Sequence, residues 1–341
     1  MSQSAPLRGH VDIHAHHFAA SLPDLAQQTG DQRWPHLETD DGQTGRVLLG
    51  QQTFRTVRAS LWDLPARLAE LDAVGVRTQV ISPVPIMLAY WADAALAAEY
   101  SCAINDSIAE TVAQSGGRLR GLGTVALQDG NAAAAEVKRL ANELRLDGVE
   151  VGTHAAGREL DDPELDSFWA AVSEHDLAVF VHPLDGGGDA IRRRGQPYDF
   201  GLGMLTDTAM AAVALINGGV LDRYPNLRVA LAHGCGTFAW AFPRLRVGSR
   251  LTASPDIAER YADLARRLWI DTLVLDPENM RMAARRFGAD HIMLGSDFPF
   301  MPGELDKAPG FLAEAVEAGA FSAAEAHAVL ATNALEFLRR R

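Results

Sequence analysis

Short apolar segments alternate along the chain with longer stretches in which apolar residues recur at helical spacing. Several of the short segments, such as LAVFVH and LRVALAH, are apolar throughout, which is typical of strands covered on both faces. Eight segments of this kind predict parallel strands: His10–His14, Arg77–Ser82, Gly121–Ala126, Gly148–Gly152, Ala178–His182, Arg228–Ala232, Trp269–Thr272 and Ile292–Gly295.

Each predicted strand is followed by a stretch with the apolar spacing of a helix. These stretches lie around residues 63–74, 92–114, 131–145, 163–175, 205–217, 237–250, 277–287 and 310–339. Eight strand–helix units predict an α/β protein with a closed (β/α)₈ barrel, the TIM barrel, although an open parallel sheet would show the same alternation. We therefore predict one barrel domain over residues 1–341.

The segment between the first strand and its helix interrupts the alternation. Residues 18–57 are rich in Gly, Gln, Asp and Thr and show no helical spacing, which predicts a small insertion with a few short strands. In a barrel, the loop after the first strand emerges at the face where the strands end and where active sites lie. We expect the insertion to cover that catalytic face.

Composition narrows the class of protein. Hydrophobic residues make up 48% and charged residues 22%, as in a globular protein, and a formal charge of −13 without a basic patch argues against nucleic-acid binding.

The chain start lacks a secretory signal, and uncharged runs such as Thr78–Ala92 fall short of the ~20 residues of a membrane span. Two cysteines, Cys102 and Cys235, make no disulfide framework or thiolate metal site. We expect a cytoplasmic protein with no membrane partner, whose histidines and carboxylates hold any metal.

Five side chains that can bind a metal or transfer a proton stand at or just after the ends of predicted strands: His14, His16, His182, His233 and Asp297. Residues two apart on a strand point to the same side, so the first two imidazoles can meet one ion. A buried structural histidine or a capping aspartate would explain any one of the five. Because strand ends converge on one face of a barrel, their shared position predicts a metal site with an acid/base group beside it.

The pattern DIHAH … FVHP … AHGCG … GSDFPF resembles the amidohydrolase superfamily and, within it, the metal-dependent non-oxidative decarboxylases. The stretches FRTVRASLWDLPARLAELDAVGV, SPVPIMLAYWA and NGGVLDRYPNLRVALAHG are similar to the aminocarboxymuconate semialdehyde decarboxylase family. The resemblance covers most of the chain. It implies a carboxy-lyase with one Zn²⁺ per chain, held by His14, His16, His182 and Asp297, and with His233 and Asp297 as catalytic groups.

The same resemblance implies that Arg55 and Arg244 bind the substrate carboxylate, with Arg244 reaching across a homodimer into the neighbouring site. A planar guanidinium holds a carboxylate by two parallel hydrogen bonds, which suits an anionic substrate. We assign Phe200 and Phe300 to the substrate pocket as well. The loop after His182 lacks the tryptophans expected from the family, which leaves the substrate's identity open.

The resemblance points to 2-amino-3-carboxymuconate 6-semialdehyde, or a close analogue, as the substrate and to tryptophan or other aromatic catabolism as the setting. A decarboxylase of ortho-hydroxybenzoates, a lactonase, hydrolase or hydratase of a related dicarboxylate, and a non-catalytic barrel protein remain as alternatives. We expect Glu150 to lie behind the metal ligands, although a carboxylate at this strand could also bridge two metals. His154 follows the same strand, and its role stays open.

Overall fold

The computed structural model describes residues 9–39, 41–184, 187–188, 190–252, 256–301 and 303–339. Its main sheet has eight strands, paired in chain order and in parallel. The strands are β1 His10–His17, β2 Val76–Pro83, β3 Leu119–Gly123, β4 Gly148–Gly152, β5 Ala178–His182, β6 Arg228–Leu231, β7 Trp269–Asp271 and β8 Ile292–Met293.

The first and last strands meet, so the sheet closes on itself. The backbone N–H of Ile13 donates to Leu294 O at 2.9 Å, and that of His16 donates to Phe298 O at 2.7 Å. Residues on both faces of the strands are buried, as Val179 and Phe180 on β5 illustrate. The predicted TIM barrel is therefore confirmed.

The third strand ends earlier than the predicted Gly121–Ala126, because a side chain takes over its hydrogen bonds. Asn105 accepts from the backbone N–H of Thr124 at 2.7 Å and donates to Thr124 O at 2.8 Å. The sheet ladder stops at Gly123 for this reason, although Val125 and Ala126 stay buried.

Helices surround the barrel and follow the predicted apolar stretches with changes near the C-terminus. They are α1 Leu25–Thr29, α2 Leu64–Ala73, α3 Ala94–Gln114, α4 Gly130–Arg139, α5 Asp166–Glu174, α6 Met204–Asn217, α7 Val220–Arg223, α8 Phe238–Thr252, α9 Ile257–Ala265, α10 Pro277–Phe287, α11 Glu304–Glu317, α12 Ala323–His327 and α13 Asn333–Leu338. The stretch 310–339 is divided, because Ser322 and Glu325 form a capping box that starts a new helix. Helix α9 was not predicted.

The insertion consists of α1 and a three-stranded antiparallel sheet of Pro35–Thr39, Thr44–Leu49 and Gln52–Arg58. Its Trp34 is buried and packs edge to face on Trp91 and Tyr100, with ring centroids 4.9 and 5.1 Å apart. These aromatic contacts fix the insertion to the loop and helix that follow β2. That it covers the active site stays a prediction.

One helical segment among the described residues, Asp199–Asn217, is long and apolar enough to cross a membrane by length and composition alone. Its mean hydropathy is 1.4, and half of it is buried inside the structure. Core helices of soluble proteins share these properties, and α6 within this segment buries Asp207 and Thr208 as well as apolar residues. The segment is therefore weak support for a membrane span.

Candidate active site

Four of the predicted site residues lie together at the end of the barrel where the strands finish. His14 and His16 come from β1, His182 is the last residue of β5, and Asp297 follows β8. Each residue offers one ligand atom, and these atoms all lie within 4.8 Å of one another. All four side chains are buried, so the group forms the floor of the site rather than an exposed acidic patch.

The three imidazoles of this floor are oriented by hydrogen bonds on the side away from its centre. Their Nδ1 atoms lie near acceptor oxygens: 2.7 Å from Asp271 Oδ2 for His14, 2.9 Å from Pro83 O for His16 and 2.8 Å from Pro183 O for His182. A carbonyl or ionised carboxylate oxygen only accepts, so each Nδ1 donates and each Nε2 is the ring nitrogen left to bind a metal.

The donor set fits a divalent metal ion. Nε2 of His14 and of His182 is buried without a hydrogen-bond partner among the described residues, and Nε2 of His16 lies 3.1 Å from Asp297 Oδ1. Buried polar atoms are normally paired, so unpartnered nitrogens aimed at one point indicate a missing ligand. Neutral imidazoles with one carboxylate suit zinc and other first-row divalent ions.

Negative charge surrounds these imidazoles. Burial opposes the protonated form of His14, but the hydrogen bond to Asp271 and the charges of Asp297 and Asp271 outweigh it and raise its pKa to about 9. Burial likewise opposes ionisation of Asp297, yet His16 at hydrogen-bonding distance and the charge on His14 lower the pKa of Asp297. The carboxylates therefore supply the charge that a bound cation would neutralise.

His233, the predicted acid/base residue, stands beside the floor. Its ring centroid lies 5.0 Å from that of His182 and 5.4 Å from that of His14, and neither of its ring nitrogens has a hydrogen-bond partner among the described residues. Burial, followed by the nearby charge of His14, lowers the pKa of His233. Both effects favour the neutral imidazole, and its ring nitrogens are not engaged by hydrogen bonds among the described residues.

The turn that carries His233 has an uncommon backbone. The φ angles of His233, Gly234, Cys235 and Gly236 are all positive, at 55°, 62°, 64° and 56°. A Cβ on Gly234 would lie 2.1 Å from Val274 Cγ1, and one on Gly236 would lie 1.9 Å from the backbone oxygen of Leu205. Glycine is therefore required at both positions by conformation and by space.

Sequence analysis missed Asp271, the last residue of β7. Its carboxylate accepts from His14 Nδ1 and from the backbone N–H groups of His233, Gly234 and Leu273, at 2.7, 2.9, 2.8 and 3.1 Å. The available signal was its place at the end of an apolar predicted strand, the same position that identified His182.

The predicted substrate-binding residues are less closely grouped. Phe300 is near the floor, with its ring 5.7 Å from that of His16. Phe200 is 40% exposed and lines, together with His233 and Trp240, a cavity of about 380 Å³ beside the floor.

The two predicted carboxylate-binding arginines are exposed. Arg55 lies on the last strand of the insertion and Arg244 on α8. Neither arginine forms a hydrogen bond or ion pair with another described residue. The structure of one chain therefore does not bring either guanidinium to the floor.

Two residues whose roles were left open also have defined positions. Glu150 is fully buried on β4, and burial raises the pKa of its carboxyl group against the opposing charges of His16 and His14. It is not one of the four converging groups. His154 is partly exposed, and its Nδ1 lies 3.6 Å from Asp207 Oδ1 on α6.

Comparison with known proteins places the chain among decarboxylases. A family model described as Amidohydrolase matches residues 11–340. The chain is 33% identical over 334 residues to the 2-amino-3-carboxymuconate-6-semialdehyde decarboxylase of Dictyostelium discoideum, covering 96% of this chain and 91% of that protein. It is 26% identical over 308 residues to the gamma-resorcylate decarboxylase of a Polaromonas strain, covering 83% of this chain and 86% of that protein.

Solved structures share the fold. The apo form of IDCase from Metarhizium anisopliae matches with a TM-score of 0.79 at 23% identity, over 97% of each chain. The dihydroxybenzoic acid decarboxylase of Polaromonas sp. JS666, solved with manganese and the inhibitor 2-nitroresorcinol, matches with a TM-score of 0.74 at 22% identity, over 97% of each chain.

Proposed function

Because the chain belongs to the amidohydrolase family, we propose that it uses one zinc ion to decarboxylate 2-amino-3-carboxymuconate 6-semialdehyde or a close analogue. The enzyme is a metal-dependent, non-oxidative carboxy-lyase, the class to which its relatives are assigned. The observation that carries the choice of substrate is the 33% identity to the Dictyostelium decarboxylase of that acid, over 96% of this chain.

The floor of the site has the donors that a catalytic metal needs. His14, His16, His182 and Asp297 would hold the ion. When bound, a divalent cation supplies Lewis-acid charge and lowers the pKa of water at the site.

His233 is the residue in this chain that can move the proton. Loss of CO₂ leaves the electron pair of the broken carbon–carbon bond on the substrate carbon, and one proton must replace the carboxylate there. A neutral His233 takes up a proton from solvent water at an unpartnered ring nitrogen and delivers it to that carbon. The proton balance is closed because one proton enters the product for each CO₂ released.

Substrate carboxylates need cationic partners, because the chain as a whole carries a formal charge of −13. Arg55 and Arg244 are exposed guanidinium groups without an ion pair among the described residues, so both are available to bind an anion. Arg55 would act in its own chain and Arg244 in the site of a second copy.

A homodimer is supported by the surface of α8 around Arg244. The side chains of Trp240, Val247 and Leu251 are 79%, 58% and 82% exposed, and they lie four residues before and three and seven residues after Arg244. This spacing places all four side chains on one face of the helix. We define this set as the α8 face. An exposed apolar face of this kind favours burial against a second copy, with the arginine carried into the neighbouring site.

The direct test is CO₂ release from 2-amino-3-carboxymuconate 6-semialdehyde by zinc-loaded protein of measured metal content, with chelated protein as the control. Rapid zinc-dependent release of CO₂ would support both the reaction and the substrate. Loss of substrate without CO₂ would instead favour a hydrolase, lactonase or hydratase. Parallel loading with manganese tests the choice of zinc.

A second candidate substrate class is the ortho-hydroxybenzoates, favoured by the likeness to gamma-resorcylate decarboxylase. The same assay with 2,6-dihydroxybenzoate and 2,3-dihydroxybenzoate separates the two classes. Release from a benzoate and none from the muconate would keep the reaction and change the substrate. We also propose a cytoplasmic location, which fractionation of the source cells would test.

A further inference from the structure

Asp271 joins two parts of the site that are distant in sequence. Its side chain is fully buried at the end of β7. The oxygen Oδ2 accepts from His14 Nδ1 at 2.7 Å and from the backbone N–H of His233 at 2.9 Å. One carboxylate oxygen therefore contacts both a floor residue and the residue that moves the proton.

All of the hydrogen-bond partners of Asp271 are donors. The second oxygen, Oδ1, accepts from the backbone N–H groups of Gly234 and Leu273 at 2.8 and 3.1 Å. An ionised carboxylate satisfies these donors, whereas an amide in either orientation would turn its NH₂ group toward two N–H groups. The site thus requires a carboxylate and not merely a polar side chain.

The turn that begins at His233 depends on these hydrogen bonds. His233 and Gly234 are the first two of four consecutive residues with positive φ, and His233 is not a glycine. Non-glycine residues hold such a conformation only where surrounding contacts enforce it. The N–H groups of both residues donate to Asp271, which makes this carboxylate one of the contacts that enforce the turn.

We propose that Asp271 is a positioning residue that aligns His14 for metal binding and His233 for proton transfer through a single carboxylate. Metal affinity and turnover then depend on the same side chain, although Asp271 touches neither the substrate nor the reacting atoms. The turnover half rests on the proposed function, whereas the metal-affinity half does not.

The test compares Asp271→Asn with a matched control, Asp12→Asn. Asp12 is also fully buried in the barrel and accepts from His14 N, Gln79 Nε2 and Ser296 Oγ, but it forms no hydrogen bond with an imidazole. Four quantities are measured: the unfolding temperature without metal, the dissociation constant for Zn²⁺ by chelator competition, and kcat and KM at saturating zinc.

Asp271→Asn is expected to weaken zinc binding about 10- to 100-fold, the usual cost of losing a carboxylate that orients a ligating histidine. It should also lower kcat at saturating zinc about tenfold or more with a smaller change in KM. Asp12→Asn should lower the unfolding temperature but keep zinc affinity and kcat close to those of the wild type. If zinc affinity and kcat fell equally in both variants, the proposal would be overturned, because these losses would reflect only the removal of a buried charge.

A second variant, Gly234→Ala, disturbs the turn while leaving Asp271 and its bond to His14 in place. The added Cβ would meet Val274 Cγ1, so the turn must shift. Zinc affinity should stay near the wild-type value while kcat falls. Wild-type kcat in this variant would overturn the His233 half of the proposal.

Hydrogen–deuterium exchange provides a readout that does not depend on the substrate. Amides of residues 233–236 should exchange faster in Asp271→Asn and not in Asp12→Asn. If wild-type protein releases CO₂ from no acid tested, the proposed function fails, while zinc affinity and amide exchange still decide the role of Asp271. Unchanged exchange at residues 233–236 would overturn the link to His233.

Discussion

The floor of the site and its rim differ in how the chain holds them. The floor consists of the four converging groups, with His233 beside it, and we define the rim as Arg55, Arg244 and Phe200. Floor side chains are supplied by strand ends and by the turns that follow them, and their imidazoles are fixed by oxygen acceptors. Rim side chains lie on the insertion, on the helical segment Asp199–Gly203 and on the surface of α8, and they are exposed.

This difference separates chemistry from specificity. Barrel closure brings all four converging groups of the floor together within one chain. The rim contains two exposed guanidinium groups, which can bind an anion or contact a second copy of the chain. Enzymes of one fold often share such a floor and differ in loop and surface residues, which is why the fold alone does not determine the substrate.

Removing the metal should have the largest effect of any change in the floor. Asp297→Asn keeps the side chain's size but removes its charge, so metal content should fall and CO₂ release should drop at least about 10³-fold. Metal analysis and turnover of chelated and reloaded protein check this. Chelated protein that stays active would contradict a metal-dependent floor.

Replacing His233 should come next. His233→Asn is expected to lower kcat about 10²- to 10⁴-fold, the range for loss of a general acid/base. Its zinc content should match the wild type, because the residue is not among the four converging groups. Full activity in this variant would remove His233 from the mechanism.

Substituting a rim residue should have a smaller effect, on substrate binding. Arg244→Ala is expected to raise KM about 10- to 100-fold, since a hydrogen bond to a charged group is worth about 1.5–3 kcal/mol. Zinc affinity should not change. A loss of zinc from this variant would contradict the assignment of metal binding to the floor and substrate binding to the rim.

Mixed dimers test whether Arg244 crosses the interface. A dimer of one Arg244→Ala chain and one His233→Asn chain has one intact site if the arginine acts in the neighbouring chain, so about half of the wild-type kcat/KM per dimer returns. If Arg244 acts in its own chain, both sites lack one residue, and kcat/KM, measured at substrate concentrations well below KM, stays at the low value expected for Arg244→Ala.

The smallest effect is expected from the α8 face. Val247→Glu and Leu251→Glu should dissociate the proposed dimer on dilution, because a charge replaces an apolar contact. At high protein concentration, turnover should approach the wild-type rate. Sedimentation and turnover across a dilution series measure both, with Met210→Glu on α6, where Met210 is 47% exposed, as the control. A dimer that resists both substitutions would place the interface elsewhere.

Much of the barrel was predictable because buried parallel strands leave continuous apolar segments in the sequence. The same segments marked His182 and Asp297, since side chains at strand ends face the centre of a barrel. Asp271 stood in the same position and was overlooked. Recognising it from sequence would have required considering every polar residue at the end of a predicted strand, and not only those that match a metal-binding pattern.

Other features depend on tertiary contacts, which the pattern of apolar and polar residues along the sequence does not reveal. The end of β3 is set by the Asn105 side chain, which lies on α3 and is 19 residues away from Thr124. Aromatic packing of Trp34 on Tyr100 fixes the insertion. The proposed place of Arg244 in a neighbouring site involves a second chain, so the geometry of a single chain does not contain it.

Closure of the barrel has a consequence for how the enzyme is made. His14 and His16 on β1 are synthesised well before Asp297, which follows β8 at the point where the chain returns to bond with β1. Chains are synthesised from the N-terminus at about 5–20 residues per second, and a metal site rarely exists before folding. A nascent chain therefore cannot assemble all four ligands until the eighth strand has been translated, and metal acquisition reports that the barrel has closed.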